Sequence, residues 1–123
     1  MNEMIKKHHI SFKNAISGLY WALTTQPNFR VHLCLSAVAI ALGMYVSLSY
    51  TEWVIIILTI VWGLAGEMTN TAIEAAIDLI TSEWKQEAKI AKDVSAGMML
   101  IIALGAILVA SLIIIPKLVI KFI

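Results

Sequence analysis

Four residues carry the chemistry open to this chain: Glu67, Asn70, Glu74 and Asp78, all within the run EMTNTAIEAAID that begins at Glu67. Their spacings are three, four and four. At about 100° per residue they fall within an arc of about 80° on one helix face. The run begins inside a long apolar stretch, where carboxylates are costly. A charge near the centre of a bilayer costs at least ~2.5–3.5 kcal/mol on insertion scales. Residues kept there at such a cost face a partner, a cation or water, and mark a candidate site.

Carboxylates at a membrane–water boundary can relay protons, bind a divalent cation or act as a base. The residues downstream bear on that choice. Glu83, Lys85, Lys89, Lys92 and Asp93 crowd one mouth of the stripe. Carboxylates beside lysines suit a magnesium-bound polyphosphate, because Mg²⁺ takes one or two carboxylates together with phosphate oxygens. Lysine adds a point charge for phosphate. A carboxylate deeper in the leaflet could take a proton from a lipid alcohol. No G-x-x-x-x-G-K-[ST] loop and no protein-kinase signature set occurs, so a nucleotide site here is of another kind.

The elements that position these residues follow from composition. Of 123 residues, 60% are hydrophobic and only 14% charged, with a mean hydropathy of +0.87. Soluble domains carry about 25% charge, so the chain reads as an integral membrane protein. A net charge of +1 implies no nucleic-acid or other polyanion partner. Cys34 is the only cysteine, which excludes an intrachain disulfide, and it reads as a small apolar side chain. Residues 1–13 are polar and basic with no apolar region directly behind them, so no cleavable signal peptide is expected.

One domain over 1–123 is expected. Residues 1–29 read as an amphipathic surface helix: Ile5, Phe12, Ile16, Leu19, Trp21 and Leu23 against Lys6, Lys7, His8, His9, Lys13, Asn14 and Ser17. Pro27 breaks this helix or opens the next. The spans 31–50, 53–80 and 91–115 are long enough to cross a hydrocarbon core of ~30 Å. Pro116 and Lys117 are expected to end the last span, with Lys121 in a short tail. Counted from Glu52 at 1.5 Å per residue, Glu67 lies about 22 Å along its helix and Glu74 about 33 Å. The acidic stripe thus runs from lipid depth out to water. Lys6, Lys7, Lys13 and Arg30 precede the first span, and Lys85, Lys89 and Lys92 lie between the second and third. The positive-inside rule places both regions in the cytosol, with Lys117 and Lys121 as exceptions outside. Three spans enclose little alone, so an oligomer is expected.

Structural readings compete at each position. The stripe could serve interhelical hydrogen bonds or ion pairs with Lys89 and Lys92, and Lys92 could pair with its neighbour Asp93. Trp21 and Trp84 suit interface anchors. The methionines suit packing. Gly63, Ala65 and Gly66, and likewise Ser95, Ala96 and Gly97, suit close helix approach. A proton- or cation-coupled transporter subunit is the rival function. It requires acids continuing across the membrane, yet nothing ionisable lies between Glu52 and Glu67 or between Asp93 and Lys117. A purely structural subunit would not need the stripe.

The run EMTNTAIEAAID, followed by AKD at Ala91, resembles the signature of the bacterial integral-membrane diacylglycerol kinase / undecaprenol kinase family, a group of prokaryotic lipid kinases. FKNA and the GL-x-x-A that follows, between Phe12 and Ala22, and NFRVH at Asn28–His32 also match, the last resembling the undecaprenol kinase branch. The resemblance implies an all-α homotrimeric bundle of the bacterial cytoplasmic membrane, with a surface helix and three transmembrane helices per protomer. Active sites would be shared between protomers and open to the cytosol. It implies transfer of the γ-phosphoryl group of ATP, with Mg²⁺, to undecaprenol or diacylglycerol. It assigns Glu67 as catalytic base at the lipid and Glu74 with Gln26 to the metal. Asn70, Asp78, Glu83, Trp84, Lys85, Lys92, Asp93 and Lys7 would meet the nucleotide, and Arg30 and Ala96 the lipid substrate. At Gln26 the family pattern has a glutamate, so this position brings a carbonyl oxygen but no charge. Asn14 stands where an aromatic is common.

Overall fold

The computed structural model describes the backbone of residues 3–123 and the side chains from Ile10 onward. Four helices follow one another: α1 Glu3–Thr25, α2 Pro27–Tyr45, α3 Tyr50–Ile80 and α4 Gln86–Phe122. The last three are long and apolar enough to span a membrane. The protein is therefore an all-helical, multi-pass membrane protein. The α3–α4 pair forms the most extensive contact, α2 packs on α3, and α1 meets α2 over a short stretch.

A single residue separates α1 from α2. Gln26 is extended, at φ −99° and ψ 108°, because the residue before a proline is pushed out of the helical region. Pro27 occupies the first turn of α2, where its missing N–H costs nothing. Of the two roles open to this proline, it opens a helix.

The first span is shorter than the sequence suggests: α2 stops at Tyr45 and α3 already begins at Tyr50. The reason is a compact double signal. Ser47 takes φ 55°, Leu48 N–H donates to Gly43 O at 3.1 Å, and Ser47 N–H donates to Met44 O at 3.3 Å. These are the paired bonds of a Schellman stop. Ser49 then caps α3. Its backbone N–H donates to Glu52 Oε2 at 2.7 Å, and its hydroxyl oxygen accepts from the Glu52 N–H. Val46, Leu48 and Ile56 close the core here, with Trp53, Ile113 and Leu118 against them.

The last span differs as well. α4 begins at Gln86 and runs unbroken through Pro116 to Phe122, leaving only 81–85 as the connection. Two lysines hold the turns beyond the proline. Lys117 Nζ lies 3.0 Å from Glu52 Oε2, and Lys121 donates to the Tyr45 carbonyl with its ammonium 4.0 Å from the Tyr45 ring centroid. Lys121 thus satisfies an orphan carbonyl at the end of α2. The two basic residues that break the topological pattern are helix-end partners, not a loose tail.

Candidate active site

Near the middle of α3 the helix pair becomes tight. A Cβ built on Gly66 would stand 2.6 Å from Ile102 Cδ1, the end of an α4 side chain. One residue on is Glu67, only 2% exposed although it is a carboxylate. His32 of α2 faces the same side, its Nδ1 3.9 Å from where a Gly63 Cβ would lie, one turn before Glu67. Glu67 makes no salt bridge among the described residues.

The next turns of α3 carry a hydrogen-bonded chain. Asn70, also buried, donates from Nδ2 to Glu74 Oε1 at 3.0 Å. Its Oδ1 accepts from Ser95 Oγ of α4 at 2.7 Å. Ser95 is itself buried. Two turns beyond Asn70, Asp78 pairs with Lys92 of α4 at 2.5 Å, in an exposed position. Asp93 pairs instead with Lys89, four residues earlier on α4.

The structural and chemical readings of the stripe thus divide residue by residue. Interhelical pairing accounts for Asp78 and, through Ser95, for one end of Asn70. It does not account for Glu67, which is buried and, among the described residues, forms neither an ion pair nor a side-chain hydrogen bond. Glu74 is half-buried and takes its recorded hydrogen bond from an amide, not from a cation. Lys92 reaches across to α3 and does not pair with Asp93.

The remaining sequence-predicted residues are more dispersed. Glu83, Trp84 and Lys85 lie on the 81–85 connection and are exposed, with Thr81 closing a small turn by accepting from Glu83 N–H at 3.2 Å. Arg30 on α2 and Ala96 on α4 are exposed. Gln26 is half-buried at the α1–α2 break and donates to Thr25 Oγ1 at 3.3 Å, not to Glu74. The Lys7 side chain lies outside the described residues.

Among the described residues no three or more His, Cys, Asp or Glu side chains gather into a ready metal site. The donor set still fits a magnesium carried by phosphate. Mg²⁺ keeps water and phosphate oxygens and needs only one or two protein carboxylates, and Glu74 offers one beside the buried Glu67. Sequence reasoning assigned Ser95 to packing alone. Its signal lay in its place three residues after Lys92 and four before Met99, which puts all three on one face of α4.

Fold and site together define a small helical membrane protein with a one-sided polar site that starts at lipid depth and opens at one end of the α3–α4 pair. Residues 13–114 match the family of prokaryotic diacylglycerol kinases. The chain is 38% identical to the undecaprenol kinase of Bacillus subtilis (strain 168) over 108 residues, which is 88% of each protein. It is 34% identical to a diacylglycerol kinase of Synechocystis over 110 residues, 89% of this chain and 63% of that protein. A diacylglycerol kinase of Helicobacter pylori (strain ATCC 700392 / 26695) is 32% identical over 84 residues, 68% of this chain and 66% of that protein. The chain belongs to the prokaryotic diacylglycerol kinase family and is a membrane lipid kinase.

Proposed function

We propose that this protein transfers the γ-phosphoryl group of ATP to the hydroxyl of a membrane lipid alcohol, undecaprenol or diacylglycerol. The observation that carries the reading is Glu67: a buried carboxylate that forms no salt bridge among the described residues, one turn from a hydrogen-bonded amide and carboxylate. A carboxylate buried only for packing is ordinarily paired with a cation or hydrogen-bonded.

In this mechanism the lipid enters from the bilayer with its hydroxyl at Glu67. Glu67 takes the hydroxyl proton as the lipid oxygen bonds to the γ-phosphorus. The bond from that phosphorus to the β–γ bridging oxygen breaks, and ADP leaves. Glu74 would hold the magnesium that travels with ATP, whose charge offsets that of the phosphates. Asn70 fixes Glu74 through Nδ2. Asp78, Glu83, Trp84, Lys85, Lys92, Asp93 and Lys7 are proposed to line the nucleotide side, and Arg30 and Ala96 the lipid side. Gln26 is proposed as a neutral second ligand to the metal. Little covalent work falls to the protein in such a reaction; positioning and electrostatics do most of it.

The site is proposed to face the cytosol of a bacterial inner membrane, since Lys85, Lys89 and Lys92 cluster at its mouth. α1 is proposed to lie along that surface. A homotrimer with sites shared between copies is proposed on the family resemblance. A transporter subunit is disfavoured by the one-sided distribution of acids.

The test is phosphate transfer from labelled ATP in mixed lipid–detergent micelles, with undecaprenol and diacylglycerol compared side by side. Product with at least one of them is expected. Glu67→Gln is expected to lower turnover at least 100-fold, in the range of lost general-base catalysis, while nucleotide binding persists. A variant that keeps most of its kcat would remove Glu67 from the role of base.

A further inference from the structure

We propose that Ser95 is a positioning residue that sets the orientation of the Asn70 amide and, through it, the carboxylate of Glu74. The proposal rests on the lipid kinase reading above. Three observations carry it. Ser95 and Asn70 are both buried, at 4% and 6% exposure, so neither exchanges its partner for water. The Ser95 hydroxyl donates to Asn70 Oδ1 at 2.7 Å across the α3–α4 contact. The opposite end of the same amide, Nδ2, donates to Glu74 Oε1 at 3.0 Å.

An asparagine amide has one accepting and one donating end, and a half-turn about its last bond exchanges them. With the oxygen turned toward Glu74, two acceptors would face each other and the bond to the carboxylate would be lost. The observed orientation is the one that satisfies both ends, because the Ser95 hydroxyl gives Oδ1 a donor while Nδ2 faces the acceptor-only carboxylate. Ser95 comes from α4 while Asn70 and Glu74 share α3, so the α3–α4 packing is coupled directly to the carboxylate. One oxygen of Glu74 is occupied by the amide, and the second stays available to a cation brought in with phosphate. Removing the hydroxyl frees the amide to rotate and leaves a buried Oδ1 without its donor. Glu74 is then less well held when the metal-bound nucleotide arrives.

The experiment measures binding of a non-hydrolysable ATP analogue to the purified full-length protein in detergent across a Mg²⁺ titration, together with phosphate transfer. Wild type, Ser95→Ala, Ser95→Cys, Glu74→Gln and the Ser95→Ala/Glu74→Gln double variant are compared. The expected result for Ser95→Ala is a rise of about 3- to 10-fold in the Mg²⁺ concentration giving half-maximal analogue binding. Its kcat at saturating Mg²⁺ stays within about twofold. In the Glu74→Gln background, Ser95→Ala adds no further shift, because its effect passes through the carboxylate. A general packing defect would lower kcat or thermal stability without moving the Mg²⁺ midpoint, and would add in both backgrounds. Ser95→Cys nearly keeps the volume but has only a weak donor. It is expected to shift the midpoint in the same direction, and it carries the test should the alanine variant not fold. An unchanged midpoint in a folded variant, or equal shifts in both backgrounds, overturns the role of Ser95. Absence of analogue binding by the wild type overturns the kinase reading itself.

Discussion

Gln26 stands where the family resemblance implies a glutamate, and its local setting in the fold is plain. It is the extended residue before Pro27, half-buried, with its amide on Thr25. If it serves the metal, it does so without charge. A full charge at ~4 Å in an effective dielectric of ~20 is worth about 4 kcal/mol before desolvation. Desolvation leaves a smaller net difference, a tenfold to hundredfold change in apparent affinity or about 1.4–2.8 kcal/mol. Gln26→Glu is therefore expected to lower the Mg²⁺ concentration needed for half-maximal activity, with little change at saturating metal. Titration of MgCl₂ at fixed ATP, with free Mg²⁺ calculated, reads this directly. An unmoved or raised midpoint would take Gln26 away from the metal. Glu67 differs in kind, because its chemistry follows from burial. On an exposed turn it would be an ordinary acid; at 2% exposure it is the carboxylate the proposed mechanism takes as the base.

At the level of elements, two glycines look alike in sequence but do different work. A Cβ on Gly43 would meet Leu48 Cδ1 at 2.8 Å and Trp53 Cη2 at 2.9 Å, within the packed α2–α3 corner. The indole has no room to retreat, because it packs on the core of Val46, Leu48 and Ile56. A Cβ on Gly66 meets the far end of Ile102, a half-buried side chain that can turn aside. Gly43→Ala is expected to cost about 1–3 kcal/mol, the range for overpacking. Gly66→Ala should be near neutral, since a helix gain of about 1 kcal/mol offsets the adjustment. Reversible unfolding in mixed detergent micelles would rank the two. Equal costs would mean that the corner yields as readily as the helix face.

For the whole molecule, the decisive question is which face of the membrane the site opens on. Ser49, exposed at the α2–α3 corner, and the exposed residues 82–85 lie at opposite ends of α3. With the basic residues drawn inward, a cysteine placed at Ser49 should be labelled by an impermeant reagent on intact cells, and one at Ser82 should not. Cys34 is replaced in both variants to leave a single thiol. The reverse pattern would put Lys85 and Lys92 outside, beyond the reach of cytosolic ATP. In the expected orientation the end that carries Lys117 and Lys121 lies outside, where Lys117 meets Glu52 and Lys121 the Tyr45 carbonyl. Lys117 is offset by the Glu52 carboxylate, whereas Lys121 keeps its charge on a helix-end carbonyl.

The sequence by itself determined the class of protein, the three spans and the acidic stripe. Apolar length and helical spacing are local properties that no tertiary contact has to supply. It also determined the family, through a long run of residues from Glu67 to Asp93 that match at fixed spacing. Tertiary structure decided the rest. It placed the stop of α2 at Tyr45 by a left-handed serine and a cap that apolar content does not reveal, and it carried α4 through Pro116 by contacts with α2 and α3. It also sorted the stripe. Asp78 is taken by Lys92 from 14 residues away and Asn70 by Ser95 from 25, while Glu67 is left buried in no salt bridge among the described residues. Spacing along one helix puts four polar groups on a face, but which of them are consumed by packing depends on what the neighbouring helix brings opposite each.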